Sequence, residues 1–173
     1  KEHGLFIVEG IKSVTEFIHS NYFIDSIFCT ANVSPKLTNL PEKVKLHEIT
    51  EAELTNFSTL STPQLILALV RIPEKGYIDP KMLTSTFTLA LDGIQDPGNL
   101  GTIIRTADWF GFKNIVCSND TVEAYNPKTV QASMGSLSRM QISYTNLPEL
   151  LNSISIPIYG ALLTGQSVYN TQF

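Results

Sequence analysis

Short apolar runs alternate with segments of helical spacing along almost the whole chain, and this rhythm limits the fold more than any other feature. The clearest run is QLILALVRI, residues 64–72, which is apolar nearly throughout, as expected of a strand buried on both faces of a sheet. Helical spacing is clearest after Gly10, where Ile11, Val14 and Ile18 share one face. The alternation as a whole predicts an α/β fold, and from residue 86 onward it also predicts right-handed crossovers and a parallel sheet.

The rhythm breaks once, and the break divides the chain. Residues 73–81, PEKGYIDPK, contain two prolines, a glycine and alternating charges, which are typical of a linker. We therefore predict one domain at residues 1–74, a linker at residues 75–81 and a second domain at residues 82–173. The predicted strands are residues 5–9, 24–29, 44–49 and 64–72 in the first domain, and 87–94, 114–117, 139–144 (irregular or at an edge) and 156–163 in the second.

Capping residues set the expected ends of the helices. The signals are a capping box at Thr50 and Glu53, N-cap asparagines at Asn99, Asn126 and Asn146, and helix-ending glycines at Gly111 and Gly135. Helices are accordingly expected at residues 11–20, 51–57, 100–110, 127–134 and 147–154.

The segment Leu91–Asp108 is the most informative stretch for function. A loop rich in Asp, Pro and Gly leaves the carboxyl end of a strand and enters a helix, and open α/β sheets bind ligands at such crevices. On a helical wheel, Arg105 lies opposite an apolar stripe that contains Leu100 and Ile104. Asn99 lies at the mouth of the helix, about 9 Å along the axis from Arg105, whose long side chain points back toward it.

Spacing alone leaves a plainer interpretation open, and favours it. Asn99 would then only cap the helix, and Arg105 would be an ordinary solvated side chain. Neither G-x-G-x-x-G nor G-x-x-x-x-G-K-[ST] occurs in the sequence, so neither a Rossmann dinucleotide site nor a phosphate-binding loop is indicated.

Charge argues mildly against a nucleic-acid partner. The net charge is −4, with 8 basic and 10 acidic side chains in residues 1–81, and 4 and 6 in residues 82–173. Because phosphate binding depends on Lys and Arg, any RNA affinity has to come from local patches, a second subunit or residues outside this sequence.

Other bulk features exclude several classes of protein. No apolar run approaches the roughly 20 residues of a membrane span, and the N-terminus has no signal-peptide layout. Cys29 and Cys117 lie far apart in apolar runs, and neither they nor the scattered histidines have the spacing of metal ligands. We therefore expect no metal, and two reduced structural thiols in the cytoplasm.

The stretch LDGIQDPGNLGTIIRTADWFG closely resembles the first signature motif of the SpoU/TrmH family of RNA 2′-O-ribose methyltransferases. The Asn, Gly, Arg and Ala of that motif match Asn99, Gly101, Arg105 and Ala107. VQASMGSLSRM resembles the family's S-x-G-S/A segment at Ser133, Gly135 and Ser136. IPIYGALLTGQSVY is similar to a strand and loop that contact the cofactor, and the first domain resembles the family's small RNA-binding domain.

The resemblance implies methyl transfer from S-adenosylmethionine to a ribose 2′-hydroxyl of RNA, ribosomal RNA rather than transfer RNA. The implied site residues are Arg105 and Asn99 for catalysis, Arg105, Gln131 and Ser133 for RNA, and Leu162, Thr164 and Gly165 for the cofactor. Arg105 would stabilise the developing alkoxide or grip a phosphate, since a guanidinium stays protonated and makes a poor base. Ordinary helix polarity explains Gln131 and Ser133 equally well.

The family's architecture is implied as well: a small N-terminal α/β RNA-binding domain, then a parallel-sheet domain of the trefoil-knot type that forms homodimers. Two later family motifs, a Gly-Asn-Glu-Gly-like loop and a Ser-x-Asn loop, do not occur in this sequence. We therefore expect a chain truncated before the knot is completed, with an open cofactor site and no activity as a fragment.

Two other functions remain open at this point. One is a non-catalytic RNA-binding protein with a methyltransferase-like shell, although retention of Asn99 and Arg105 argues against it. The other is an unrelated nucleotide-binding α/β enzyme, which would be expected to carry a glycine fingerprint.

Overall fold

The computed structural model describes residues 3–74, 83 and 86–170, so the predicted linker at 75–81 lies outside the described residues. The strands are β1 Leu5–Glu9, β2 Ile24–Cys29, β3 Lys45–Glu48, β4 Ile66–Arg71, β5 Thr88–Leu91, β6 Asn114–Ser118 and β7 Gln141–Thr145. The helices are α1 Ile11–Ile18, α2 Glu51–Phe57, α3 Pro97–Trp109, α4 Pro127–Ser133 and α5 Leu147–Ser153, with a 3-10 helix at Ser136–Arg139 before β7.

The first sheet contains β1 to β4 in the order β1-β4-β2-β3. The apolar run of residues 64–72 supplies β4, which lies between β1 and β2 and is antiparallel to both. This inner position buries Ile66, Leu67, Ala68 and Val70 and explains why the run is apolar almost throughout. The edge strand β3 is parallel to β2, and all its residues are exposed.

The second sheet is parallel, as the strand–helix alternation predicts, with the order β5-β6-β7. Helix α3 connects β5 to β6, while α4 and the 3-10 helix connect β6 to β7. The run at residues 139–144 becomes β7, an edge strand of this sheet in the described part of the chain. Because all three strands point the same way, their carboxyl ends meet at one edge, where the loop before α3 also lies.

Most of the predicted helix ends are confirmed. Thr50 and Glu53 form the capping box of α2, and the Asn126 and Asn146 side chains accept hydrogen bonds at the starts of α4 and α5. Gly111 follows α3 with a φ of 81°. The prediction that Asn99 caps α3 is wrong, because the helix starts at Pro97.

The predicted strand at residues 156–163 is also wrong. This segment has no regular secondary structure, and the Leu163 side chain is fully exposed. Pro157 has no N–H to donate to a neighbouring strand, and Gly160 weakens strand propensity. An apolar run becomes a strand only where a partner strand accepts its backbone hydrogen bonds.

The two sheets share one hydrophobic core. Buried Phe6 and Phe17 from the first sheet and α1 belong to the same cluster as Ile104 and Ile115 from the second. Tyr125, which precedes α4, packs its ring 4.9 Å from that of Phe6. No helix in the described part of the chain is long and apolar enough to span a membrane.

Candidate active site

The loop between β5 and α3, residues 92–96, is fastened to the end of β6 by two hydroxyl groups. The Gly93 N–H donates to Ser118 Oγ at 2.8 Å, and the Ile94 N–H donates to Thr121 Oγ1 at 3.2 Å. The two hydroxyl oxygens are 3.0 Å apart, and both side chains are buried. This pair fixes the path of the loop at the carboxyl edge of the parallel sheet.

Asp96, rather than Asn99, caps α3. Its Oδ1 accepts the Asn99 N–H at 2.7 Å, and Pro97 occupies the first helical position, where no N–H is needed. The backbone hydrogen bond from Asn99 and the nearby Lys128 ammonium, 3.6 Å away, hold the pKa of Asp96 below its usual value. The side-chain amide of Asn99 therefore takes no part in capping, and it is exposed in the first turn of the helix.

Arg105 is exposed on the outer side of α3, as the helical wheel predicts, while Leu100, Ile104 and Ala107 are buried. Its Nη1 donates to Met134 Sδ. Met134 follows the last residue of α4 and has a left-handed backbone, with φ 51° and ψ 37°. The guanidinium thus contacts a neutral thioether rather than a carboxylate.

Helix α3 packs closely on α4 because Gly101 has no side chain. A Cβ at this position would lie 2.5 Å from Ala132 Cβ and 2.6 Å from the Thr129 carbonyl oxygen. Such contacts are too short for any other residue, so this glycine sets the distance between the two helices. It also sets how close Arg105 lies to the end of α4.

One turn beyond Arg105 on α3, Asp108 pairs with Arg139 of the 3-10 helix. Arg139 Nη2 lies 2.6 Å from Asp108 Oδ2, and Arg139 also pairs with Glu16 on α1. Burial raises the pKa of Asp108, but hydrogen bonds from Arg139 and Ser136 outweigh it and leave that pKa below its usual value. Arg139, unlike Arg105, is neutralised by carboxylates.

The structure separates the two residues expected on α4. Gln131 is exposed and lines a small crevice together with Glu9, at the end of β1, and Thr59, which follows α2. Ser133 is fully buried, and its Oγ donates to the Val130 carbonyl at 2.7 Å. Direct RNA contact through Ser133 is incompatible with this burial, since its hydroxyl is used to close the last turn of α4.

The residues expected to contact a cofactor lie in the irregular segment after α5. The Leu162 side chain is exposed, and the Gly165 N–H donates to the Leu162 carbonyl at 3.3 Å, closing a turn around Thr164. As placed here, Leu162, Thr164 and Gly165 are exposed and do not enclose a ligand of nucleoside size.

A cavity of about 890 Å³ lies at the opposite edge of the parallel sheet. Lys113 and Gln141, at the amino ends of β6 and β7, line it together with Tyr22 from the first sheet's side. Open α/β sheets bind ligands at the carboxyl edge, so this cavity is not part of the candidate site.

Sequence reasoning missed three residues of the site: Asp96, Lys128 and Met134. The signal for Asp96 was present, because Asp before Pro is a common start for a helix. Nothing in the sequence indicates Met134, because its contact with Arg105 depends on how α3 and α4 pack.

Two solved structures named as RNA methyltransferases superpose on this combination of a mixed sheet and a parallel sheet. A putative RNA methyltransferase of the TrmH family from Porphyromonas gingivalis superposes with a TM-score of 0.88 at 35% identity, covering 99% of this chain and 68% of that one. An AdoMet-bound rRNA methyltransferase from Sinorhizobium meliloti gives 0.71 at 26% identity, covering 87% and 58%.

The sequence matches the SpoU rRNA Methylase family over residues 86–173 and the MRM3-like substrate binding domain over residues 1–68. The chain belongs to the SpoU rRNA methylase family. The 23S rRNA (guanosine(2553)-2′-O)-methyltransferase RlmP of Bacillus subtilis is 29% identical over 167 residues, 95% of this chain and 65% of that protein. Human mitochondrial rRNA methyltransferase 3 is 34% identical over 150 residues, 82% of this chain and 35% of that protein.

Proposed function

We propose that this protein transfers a methyl group from S-adenosylmethionine to a ribose 2′-hydroxyl of ribosomal RNA. The observation that carries the proposal is that Arg105 and Asn99 are both exposed on one helix, which begins at a capped N-terminus next to the carboxyl edge of the parallel sheet. The similar B. subtilis and human proteins are both named rRNA methyltransferases, which supports ribosomal over transfer RNA.

The roles of Arg105 and Asn99 concern the acceptor side of the reaction. The transfer would form an O–CH3 bond at the ribose 2′-oxygen, break the donor's S–CH3 bond to leave S-adenosylhomocysteine, and release the hydroxyl proton to water. As the proton leaves, negative charge develops on the 2′-oxygen. A guanidinium cannot take the proton, but it stabilises the developing alkoxide or holds the adjacent phosphate by charge-assisted hydrogen bonds. The Asn99 amide, free of capping, orients the ribose or the guanidinium.

S-adenosylmethionine, when bound, supplies a methyl group made electrophilic by its sulfonium. Leu162, Thr164 and Gly165 are its proposed contacts, which requires the segment that contains them to pack against the carboxyl edge. In the structure these three residues are exposed and form no pocket for the cofactor, so the residues assigned to the reaction itself are those of α3.

RNA binding is assigned to Arg105 and Gln131. Gln131 lies where α4 meets the side of the first sheet, so an RNA strand held by both modules would pass it. Lys128 adds a cation at the start of α4, although it is partly neutralised by Asp96. Because the salt dependence of binding grows with the number of phosphates that Lys and Arg neutralise, an affinity that rests on these few cations is expected to be modest and to fall only slightly with salt.

The proposal includes a homodimer in the cytoplasm. Trp109 and Phe110, at the end of α3, are 86% and 73% exposed, which favours a covered surface. Two buried free thiols, Cys29 and Cys117, suit a reducing compartment. Sedimentation equilibrium of the full-length protein and cell fractionation would check these two points.

The test of function is transfer of labelled methyl groups from S-adenosylmethionine to ribosomal RNA and, separately, to transfer RNA by the full-length protein. Arg105→Ala is expected to lower turnover about 100-fold, the usual effect of removing a group that stabilises an oxyanion. S-adenosylmethionine affinity, measured by equilibrium dialysis, should change little.

Lys113→Ala is the matched control, since it removes an exposed cation at the opposite edge of the sheet. Full methyl transfer by Arg105→Ala would overturn the role of Arg105. RNA binding without any transfer by the wild-type protein would instead favour a non-catalytic RNA-binding protein.

A further inference from the structure

Three contacts tie one face of α3 to the segment that runs from α4 into the 3-10 helix. Gly101, Arg105 and Asp108 are spaced i, i+4 and i+7, so they lie on the same side of the helix. Gly101 meets Ala132, Arg105 meets Met134, and Asp108 meets Arg139. The two outer contacts are tight packing and an ion pair, and both hold the segment between them in register with α3.

The middle contact places Met134 in an unusual backbone state. Met134 has a φ of 51°, and among the described residues the other non-glycine residue with a positive φ is Asn39. Residues other than glycine are uncommon in this conformation, and they persist where the surrounding structure enforces it. Here Gly135, with a φ of 91°, continues the turn and lies against the Glu16 side chain of α1. The result is a half-exposed thioether whose sulfur meets the Arg105 guanidinium.

A thioether is an unusual partner for an arginine. A carboxylate at this point would orient the guanidinium but would also neutralise it, as Asp108 and Glu16 neutralise Arg139. It would then compete with RNA phosphate for the guanidinium. Sulfur accepts one N–H weakly and carries no net charge, so it can orient the group while leaving its charge and its other donors for a ligand.

Resting on the function proposed above, we propose that Met134 is a positioning residue: its sulfur holds the Arg105 guanidinium in place without neutralising it. The ligand of the positioned group is the ribose–phosphate backbone of RNA. Neither substrate nor cofactor needs to touch Met134 itself.

Three substitutions at one position separate orientation from charge. Met134→Leu keeps an apolar side chain but removes the acceptor, Met134→Gln keeps a neutral acceptor at similar reach, and Met134→Glu has the shape of Gln but adds a charge. All three carry the same backbone cost at a positive φ. Met140→Leu is the matched control, because Met140 is buried and lies on the chain beyond Arg139.

The readouts are kcat, KM for RNA, KM for S-adenosylmethionine and the melting temperature of the full-length protein. Misplacing a reacting group by about 1 Å can cost up to about 100-fold, and loss of one weak contact should cost less. Met134→Leu is expected to lower kcat about 5- to 10-fold, Met134→Gln to stay within about 3-fold of wild type, and Met134→Glu to fall below Met134→Leu and to raise KM for RNA. KM for S-adenosylmethionine and the activity of Met140→Leu should stay at the wild-type values.

Each contrary result overturns a defined part of the proposal. Wild-type kcat in Met134→Leu would exclude a positioning role, and equal kinetics for Met134→Gln and Met134→Glu would exclude the importance of a neutral partner. If Met134→Leu and Met134→Gln lose the same amount of kcat, and both have a lowered melting temperature, then Met134 acts as a packing residue. If the wild-type protein transfers no methyl group, the proposed function itself fails, which is distinct from an active wild type with indifferent variants.

Discussion

At the scale of single residues, the path of the loop before α3 depends on two buried hydroxyl groups. Thr121 Oγ1 accepts the Ile94 N–H and lies within hydrogen-bonding distance of Ser118 Oγ, which accepts the Gly93 N–H. Neither hydroxyl is part of the family motif that indicates the function. Their contribution is to accept hydrogen bonds from two partly buried backbone N–H groups, and so to fix where α3 begins.

Replacing Thr121 with valine tests this contribution while keeping the shape of the side chain. The Ile94 N–H, which is partly buried, would lose its acceptor, and water can replace that acceptor only in part. We therefore expect Thr121→Val to lower the free energy of unfolding by about 1 kcal/mol in urea titration, at the low end of the cost of an unsatisfied donor.

Thr129→Val is the matched control on α4. Thr129 is fully buried, and its hydroxyl lacks a hydrogen-bond partner among the described residues, so removing it should be neutral or stabilising by about 1 kcal/mol. If Thr121→Val and Thr129→Val destabilise the protein equally, then the hydrogen bond from the Ile94 N–H to the Thr121 hydroxyl does not contribute to stability.

At the scale of elements, the sequence predicted most strands and helices because their apolar periodicity coincides with burial. The inner strand β4 and the amphipathic helix α1 are examples, since each buries the face that its sequence indicates. The segment at residues 156–163 failed because an apolar run does not specify a partner strand. The predicted N-cap of α3, Asn99, lies three residues beyond the observed one, Asp96. Asp96 and Pro97 already satisfy the free backbone groups at the start of the helix.

The candidate site was predicted only in part, for the same physical reason. The exposure of Arg105 follows from local helical periodicity, so the sequence alone placed it correctly on the outer face of α3. Its contact with Met134 and the burial of Ser133 depend on how two helices pack, which no local pattern encodes.

The packing of α3 on α4 makes Gly101 the most sensitive position on the helix. Alanine favours helix over glycine by about 1 kcal/mol, but its Cβ would lie 2.6 Å from the Thr129 carbonyl, a backbone atom that cannot turn away. Overpacking of this kind costs about 1–3 kcal/mol or more, so we expect Gly101→Ala to destabilise the protein by a net of about 2 kcal/mol in urea unfolding.

The double variant Gly101→Ala/Ala132→Gly serves as its control. It removes the Ala132 Cβ but leaves the Thr129 carbonyl in place, so stability should recover little. Full recovery, or a Gly101→Ala protein as stable as wild type, would show that the two helices can move apart.

At the scale of the whole molecule, the two sheets behave as one packed body. Their buried side chains form a single cluster, and Tyr125 from one side lies against Phe6 from the other. Arg139 adds a polar link, because it pairs with Glu16 on α1 and with Asp108 on α3. Because of these contacts, a movement of the first sheet and α1 would also shift α3, the helix that carries Arg105.

Arg139→Ala tests how much this polar link stabilises the whole molecule. Hydrogen bonds to charged groups contribute about 1.5–3 kcal/mol, but Arg139 is 41% exposed and solvent screening reduces the effect. We expect the free energy of unfolding at pH 7 to fall by about 1–2 kcal/mol. Arg71→Ala removes a more exposed arginine, which lies 4.0 Å from Asp25 and 4.3 Å from the centre of the Phe23 ring, and should cost less, about 0.5–1 kcal/mol.

The pH dependence of this difference identifies its cause. The folded pKa of Asp108 lies below its usual value, so the stability it contributes is fully present above the unfolded pKa of about 3.9. That stability is lost as the pH falls through the folded pKa. Urea unfolding of wild type and Arg139→Ala should therefore differ by a constant amount from pH 7 to about pH 5, and the two should converge toward pH 2. A difference that does not shrink at all as the pH falls from 4 toward 2 would mean that Arg139 acts by packing, since protonation of the Asp108 carboxyl weakens its attraction for the guanidinium.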